Sequence, residues 1–89
     1  MSEQKEVRIL VGHRGWVFVG EYSATPTEVT LERAKCIRRW GTRDKGIGVL
    51  RDGPTSETVL DAAGTVRMHP LAVIATIDCD AEKWRARLG

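Results

Sequence analysis

No apolar run in this chain approaches the roughly 18 residues that a membrane-spanning helix needs, so a helical membrane protein is excluded. The opening residues, MSEQKEVR, contain no apolar stretch of the kind a secretory signal carries, and no signal peptide is expected. Cysteine is scarce. Cys36 and Cys79 form no CxxC pair and sit in apolar contexts, and they read as small buried hydrophobes in a reducing compartment. A cytoplasmic protein is the expectation.

His13 and His69 stand alone, with no thiol or carboxylate at the fixed spacings that metal sites use, and neither a metal nor a cofactor is expected. Asp78-Cys79-Asp80 is better explained as a helix cap than as a ligand set. No local signature joins a cysteine to a histidine for nucleophilic catalysis. Glu28, Glu32, Asp44, Asp52, Glu57 and Asp61 are scattered, and none pairs with another for acid–base work. The expectation is a protein that is not an enzyme.

A chain of 89 residues forms one domain, 1–89, near the lower limit for a self-sufficient core. Small β domains often gain stability by symmetric assembly, so a homo-oligomer is expected. The net charge of +2 is too small to mark the whole chain as a nucleic-acid coat, and the local distribution of charge matters more.

The hydrophobic pattern is that of strands. Val7, Ile9 and Val11 alternate with Arg8 and Leu10, and Gly12-His13-Arg14-Gly15 reads as a tight turn. In the next strand Trp16, Phe18 and Tyr22 share one face and Val17 and Val19 the other, which predicts a central strand or one at a subunit interface. Trp16, Phe18, Tyr22 and Trp84 are assigned to core or interface packing.

Glu28 to Arg38 supports two readings. Val29, Leu31, Ala34 and Cys36 fit a strand whose phase slips between Leu31 and Ala34, as at a bulge. Thr25-Pro26-Thr27-Glu28 fits a helix capping box, with Leu31, Ala34 and Ile37 as a thin apolar stripe. Gly41 to Ser56 is a long Gly-rich loop in which Ile47, Val49 and Leu50 offer a brief apolar anchor.

Further on, a short strand over Glu57–Leu60, a turn over Asp61–Gly64 and a strand over Thr65–Met68 are predicted. The most apolar strand is placed at Leu71–Ile77, with Leu71, Val73, Ala75 and Ile77 on one face. Asp78 or Asp80 caps a short helix over 80–88, and its Trp84 and Leu88 dock on the body of the protein. The fold class is therefore mainly β: a small five- to six-stranded SH3/Sm-like barrel with a short C-terminal helix.

What stands out is a cluster of cations. Arg33, Lys35, Arg38, Arg39, Arg43 and Lys45 supply six of the 14 basic residues, interleaved with Trp40, Gly41, Gly46 and Gly48. Arginine pairs bidentately with phosphate, an indole stacks a base, and glycine permits close backbone approach. Lys35, Arg38, Arg39, Trp40, Arg43, Lys45, Gly46 and Gly48 are the candidate ligand-binding set. The ligand would be an anionic, nucleotide-like small molecule or a nucleic acid.

Strand alternation would put Arg38 and Trp40 on one face and Arg39 on the other. The segment from Gly41 has P-loop glycine spacing, but Ile47 and Gly48 stand where Lys and Ser or Thr would be needed, which excludes nucleotide hydrolysis there. Gly46-Ile47-Gly48 is no dinucleotide fingerprint, since Arg51 occupies the third glycine position.

Two resemblances bear on function. Arg14-Gly15-Trp16-Val17-Phe18-Val19-Gly20, Ala34-Lys35-Cys36-Ile37-Arg38, Trp40-Gly41-Thr42, Gly53-Pro54-Thr55, Gly64-Thr65-Val66 and Ala72-Val73-Ile74 resemble a family of small uncharacterised phage and prophage proteins. That resemblance brings no established activity and implies a phage setting, in the cytoplasm of the host, where short ligand-binding proteins act against host defence; together with the cation cluster it leads to the expectation of a protein that sequesters a nucleotide immune signal. The strand order and Val66-Arg67-Met68-His69-Pro70-Leu71-Ala72-Val73-Ile74 are similar to the Sm-like RNA-binding barrels, which implies an RNA- or DNA-binding module and draws attention to His69. Pro70 and the length of the loop depart from that pattern. A third expectation is a protein that blocks a host enzyme through its aromatic strand face.

Overall fold

The computed structural model describes residues 6–42 and 46–88. Five antiparallel strands form one barrel-like sheet: β1 (Val7–Gly12), β2 (Val17–Ala24), β3 (Val29–Arg39), β4 (Val59–Met68) and β5 (Val73–Asp78), followed by a short helix α1 (Ala81–Arg85). The order across the sheet is β4-β3-β2-β1-β5. The first four strands make a meander, and β5 returns to lie beside β1, with Arg8 opposite Asp78 and Ile9 opposite Ile77. The mainly β class with a short C-terminal helix is as expected, and β2 is a central strand.

Apolar side chains on both faces of β1 and β2 build two clusters. Val7, Ile9, Val17, Val19 and Ile37 lie under Leu50, Trp84 and Leu88. Leu10, Val29, Leu31 and Ala34 form the second, flanked by Phe18, Tyr22, Val66 and Met68. Trp84 is fully buried, and its indole Nε1 donates to the Leu50 carbonyl at 2.7 Å, so a large apolar group enters the core with its one polar atom satisfied. The Leu50 anchor and the docking of Trp84 and Leu88 thus hold, and the first joins the long loop to α1. Asp80 caps α1 by accepting from the Glu82 and Lys83 amides.

The ambiguous segment is a strand. Its register shifts between Leu31 and Ala34, where Arg33 takes the left-handed conformation at φ +52° and donates to Glu21 at 3.5 Å. The helical reading fails because Val29–Arg39 pairs with β2 on one side and β4 on the other, and the Thr25 hydroxyl serves the turn before it. It accepts from the Thr27 and Glu28 amides, while the Thr25 amide donates to the Glu28 carbonyl, closing the β2–β3 hairpin around Pro26. A hydroxyl bonded to amides two and three residues on serves a turn as well as a helix cap.

Three expectations need correction. Asp61–Gly64 is no turn: β4 runs through it, and Gly64, at φ +71°, lies opposite the bulge at Ala34. Two expected strands therefore become one. The last strand starts at Val73, because Pro70–Ala72 forms a 3-10 turn in which His69 Nδ1 accepts from the Leu71 amide at 3.0 Å. Trp16, assigned to core or interface packing, is 59% exposed and so lies outside the core of the chain, while Trp84 is within it. Within the long loop, Ile47–Asp52 forms a 3-10 helix, and α1 is shorter than the expected 80–88.

Candidate functional site

β3 ends at Arg39, and the chain leaves the sheet through Trp40, Gly41 and Thr42 against the segment that enters β4. Gly41 has φ +69°, and a Cβ there would stand 2.3 Å from the Glu57 carbonyl carbon. Backbone meets backbone at a distance that only glycine allows. Two threonines fix the contact. Thr58 Oγ1 donates to the Trp40 carbonyl at 2.7 Å, Thr55 Oγ1 donates to the Gly41 carbonyl at 2.7 Å, and the Thr55 amide donates to Thr58 Oγ1 at 2.9 Å. Thr42 and Thr58 are themselves buried.

The clamp shapes an open hollow of about 590 Å³, walled by Arg39, Trp40, Gly41 and Thr42 on one side and by Ser56 to Val59 on the other. Trp40 is 41% exposed and Arg39 is exposed. Arg39 and Trp40 therefore line the same hollow, contrary to simple alternation. The reason is a register shift between Ile37 and Arg39 at the point where the strand ends.

Other members of the expected set lie elsewhere. Arg38 is paired with Asp61 through Nε at 2.8 Å and Nη2 at 3.4 Å, a fork that turns it toward β4, and it does not line the hollow. Lys35 lies opposite Ala62, about 13 Å from Arg39 along the strand, and does not line the hollow. Gly46 is exposed and extended, and Gly48 lies in the 3-10 helix; neither lines the hollow. Arg43 and Lys45 fall outside the described residues. The residues missed by sequence reasoning are Thr55, Ser56, Glu57 and Thr58. Gly53-Pro54-Thr55 followed by polar residues was the available signal.

Burial raises the Cys79 thiol to about 11, with the Asp78 carboxylate adding to the effect and a backbone hydrogen bond at Ile9 opposing it. Cys36 is also pushed up, first by burial and then by Asp61, with Arg38 opposing. Raised thiols are poor nucleophiles at neutral pH. Among the described residues no three His, Cys, Asp or Glu side chains are grouped to hold a metal ion, and no helix is long and apolar enough to cross a membrane. Compared with protein-family models, curated proteins and solved structures, the chain matches none.

Proposed function

We propose that this chain is a non-enzymatic, homo-oligomeric binding protein whose hollow between β3 and β4 holds an anionic, nucleotide-like ligand. The observation that carries the reading is Trp40, exposed beside Arg39 on one wall and held there by the Thr55–Thr58 clamp. An indole carried on that clamped backbone offers a face that stacks a base, and the guanidinium pairs with phosphate. Sequestration of a nucleotide signal in a phage setting is the biological form this reading takes.

Calorimetric titration with a nucleoside monophosphate, a cyclic dinucleotide and a single-stranded oligonucleotide tests it. The expected result is saturable binding of a small nucleotide at fixed stoichiometry, weakened at least about tenfold by Arg39→Ala and by Trp40→Ala. Binding of the oligonucleotide alone, with steep salt dependence, would replace this reading with a nucleic-acid module. Binding of none of the probes would reject the pocket.

A further inference from the structure

Residues 50–58 join two parts of the molecule that are far apart in sequence. One end of the segment is fixed to α1. The Trp84 indole Nε1 donates to the Leu50 carbonyl at 2.7 Å, and the Asp80 amide donates to the Arg51 carbonyl at 2.7 Å. Gly53, at φ +113°, lies so near the helix that a Cβ on it would stand 3.0 Å from the Lys83 Cβ. The other end is fixed to the Trp40 hollow, where Thr55 Oγ1 donates to the Gly41 carbonyl and Thr58 Oγ1 to the Trp40 carbonyl, each at 2.7 Å.

Little loose chain separates the two attachments. The Gly53 amide donates to the Leu50 carbonyl at 3.0 Å, the same oxygen that receives the indole. The Thr55 amide donates to Thr58 Oγ1 at 2.9 Å, and the Glu57 amide donates to Thr55 Oγ1 at 3.1 Å. Pro54 alone lies between these two bonded units, and its ring fixes its φ.

The sheet does not hold this wall of the hollow. Ser56 and Glu57 line it, yet both precede the first pair of the β3–β4 ladder, Arg39 with Val59. Their position is set by the threonine clamp on one side and by the attachment to α1 on the other.

We propose that residues 50–58 form a strap through which α1 sets the position of that wall, so that loosening either end loosens the other. Trp84 is then a positioning residue: it does not line the hollow, and it acts on it through Leu50. Coupling of this kind is reciprocal. A molecule that orders the wall tightens α1, and one that draws α1 away releases the wall. The proposal stands on the geometry of the strap and does not depend on which ligand the hollow takes.

Amide hydrogen exchange of the whole chain, followed residue by residue by NMR with no ligand added, tests it in Trp84→Phe, Thr55→Val and Val29→Ala. Trp84→Phe keeps an aromatic ring in the core and removes the donor to Leu50. Exchange at the Thr55, Glu57 and Thr58 amides should quicken on the order of tenfold more than at the paired amides of β1 and β2. Thr55→Val, made at the hollow, should quicken exchange of the Trp84 indole N–H and the Asp80 amide by a similar factor. Val29→Ala lies at the opposite end of β3 from Arg39, and it should show no such preference for the strap, which separates transmission from a general loss of stability. If Trp84→Phe affects residues 55–58 no more than β1 and β2, the strap transmits nothing and the proposal falls. It falls equally if Thr55→Val leaves the Trp84 and Asp80 N–H groups unchanged, and that arm decides alone should Trp84→Phe not fold. Since no nucleotide is present, failure of the ligand reading would leave each of these outcomes untouched.

Discussion

Trp16 and Trp40 both reach solvent at the mouth of a hollow, and each adjoins a glycine with positive φ, Gly15 at +80° and Gly41 at +69°. Their surroundings differ in kind. The Trp40 hollow is walled by hydroxyls, one arginine and one acid, and its backbone is clamped by two threonines. The Trp16 hollow is walled by Phe18, Val66, Met68 and Ala72. One side-chain type serves two purposes, and its neighbours decide which. An indole among polar groups offers a stacking face to something polar at its rim, whereas an indole among aliphatic groups offers area to something apolar.

The largest expected contrast is between the two glycines. Gly41→Ala forces a Cβ into the Glu57–Thr58 backbone at a φ that alanine avoids, and it should cost about 3 kcal/mol or more in urea unfolding. Gly15→Ala meets nothing within 4 Å and should cost only the conformational term, about 1 kcal/mol. Equal losses would mean that the Trp40 hollow is not held by backbone contact.

Thr58→Val keeps the shape but removes the donor to the Trp40 carbonyl, and it should cost about 1–3 kcal/mol in the same assay. Paired with Thr55→Val, the loss should fall short of the sum, because the two hydroxyls share one network at 3.0 Å.

Next comes the contrast between neighbouring arginines. Arg39→Ala should weaken nucleotide binding at least about tenfold, and Arg38→Ala should change it by less than about threefold, since Arg38 is turned toward Asp61. The reverse order would move the site to the other side of β3.

The smallest expected effect belongs to neither hollow. The folded state holds the Cys79 proton to a higher pH than the unfolded state does. Above the ordinary thiol value the unfolded chain therefore binds fewer protons, and stability should fall as pH rises, levelling off past about 11. Cys79→Ala should flatten that part of the profile in a series of thermal melts.

Much of the fold was legible because alternation, turn residues and caps are local signals. Val7 to Val11, the Gly12–Gly15 turn and the Asp80 cap all lie where their patterns place them. The phase slip at Leu31–Ala34 is a real bulge. The misreadings occurred where one local signal serves two structures. Thr25 closes a hairpin instead of capping a helix, and Asp61-Ala62-Ala63-Gly64, turn-like in composition, is held extended by pairing with β3.

At the candidate site Arg39 and Trp40 were legible by chemistry. Thr55 and Thr58 were not, since a hydroxyl bonded to a carbonyl 14 or 18 residues away leaves no periodic trace. Nor could spacing reveal that Asp61 would engage Arg38 across the ladder.

The placement of β5 beside β1 sets an order of events in time. The meander from β1 to β4 joins neighbours along the chain, whereas the pairing of Arg8 with Asp78 spans nearly the whole sequence. During synthesis the outer edge of β1 waits, unpaired, until the segment around residues 73–78 has emerged. Trp84 reaches the Leu50 carbonyl later still. β1 is thus made well before the strand that covers its outer edge, and until β5 emerges the nascent chain presents an unpaired edge that the folded sheet conceals.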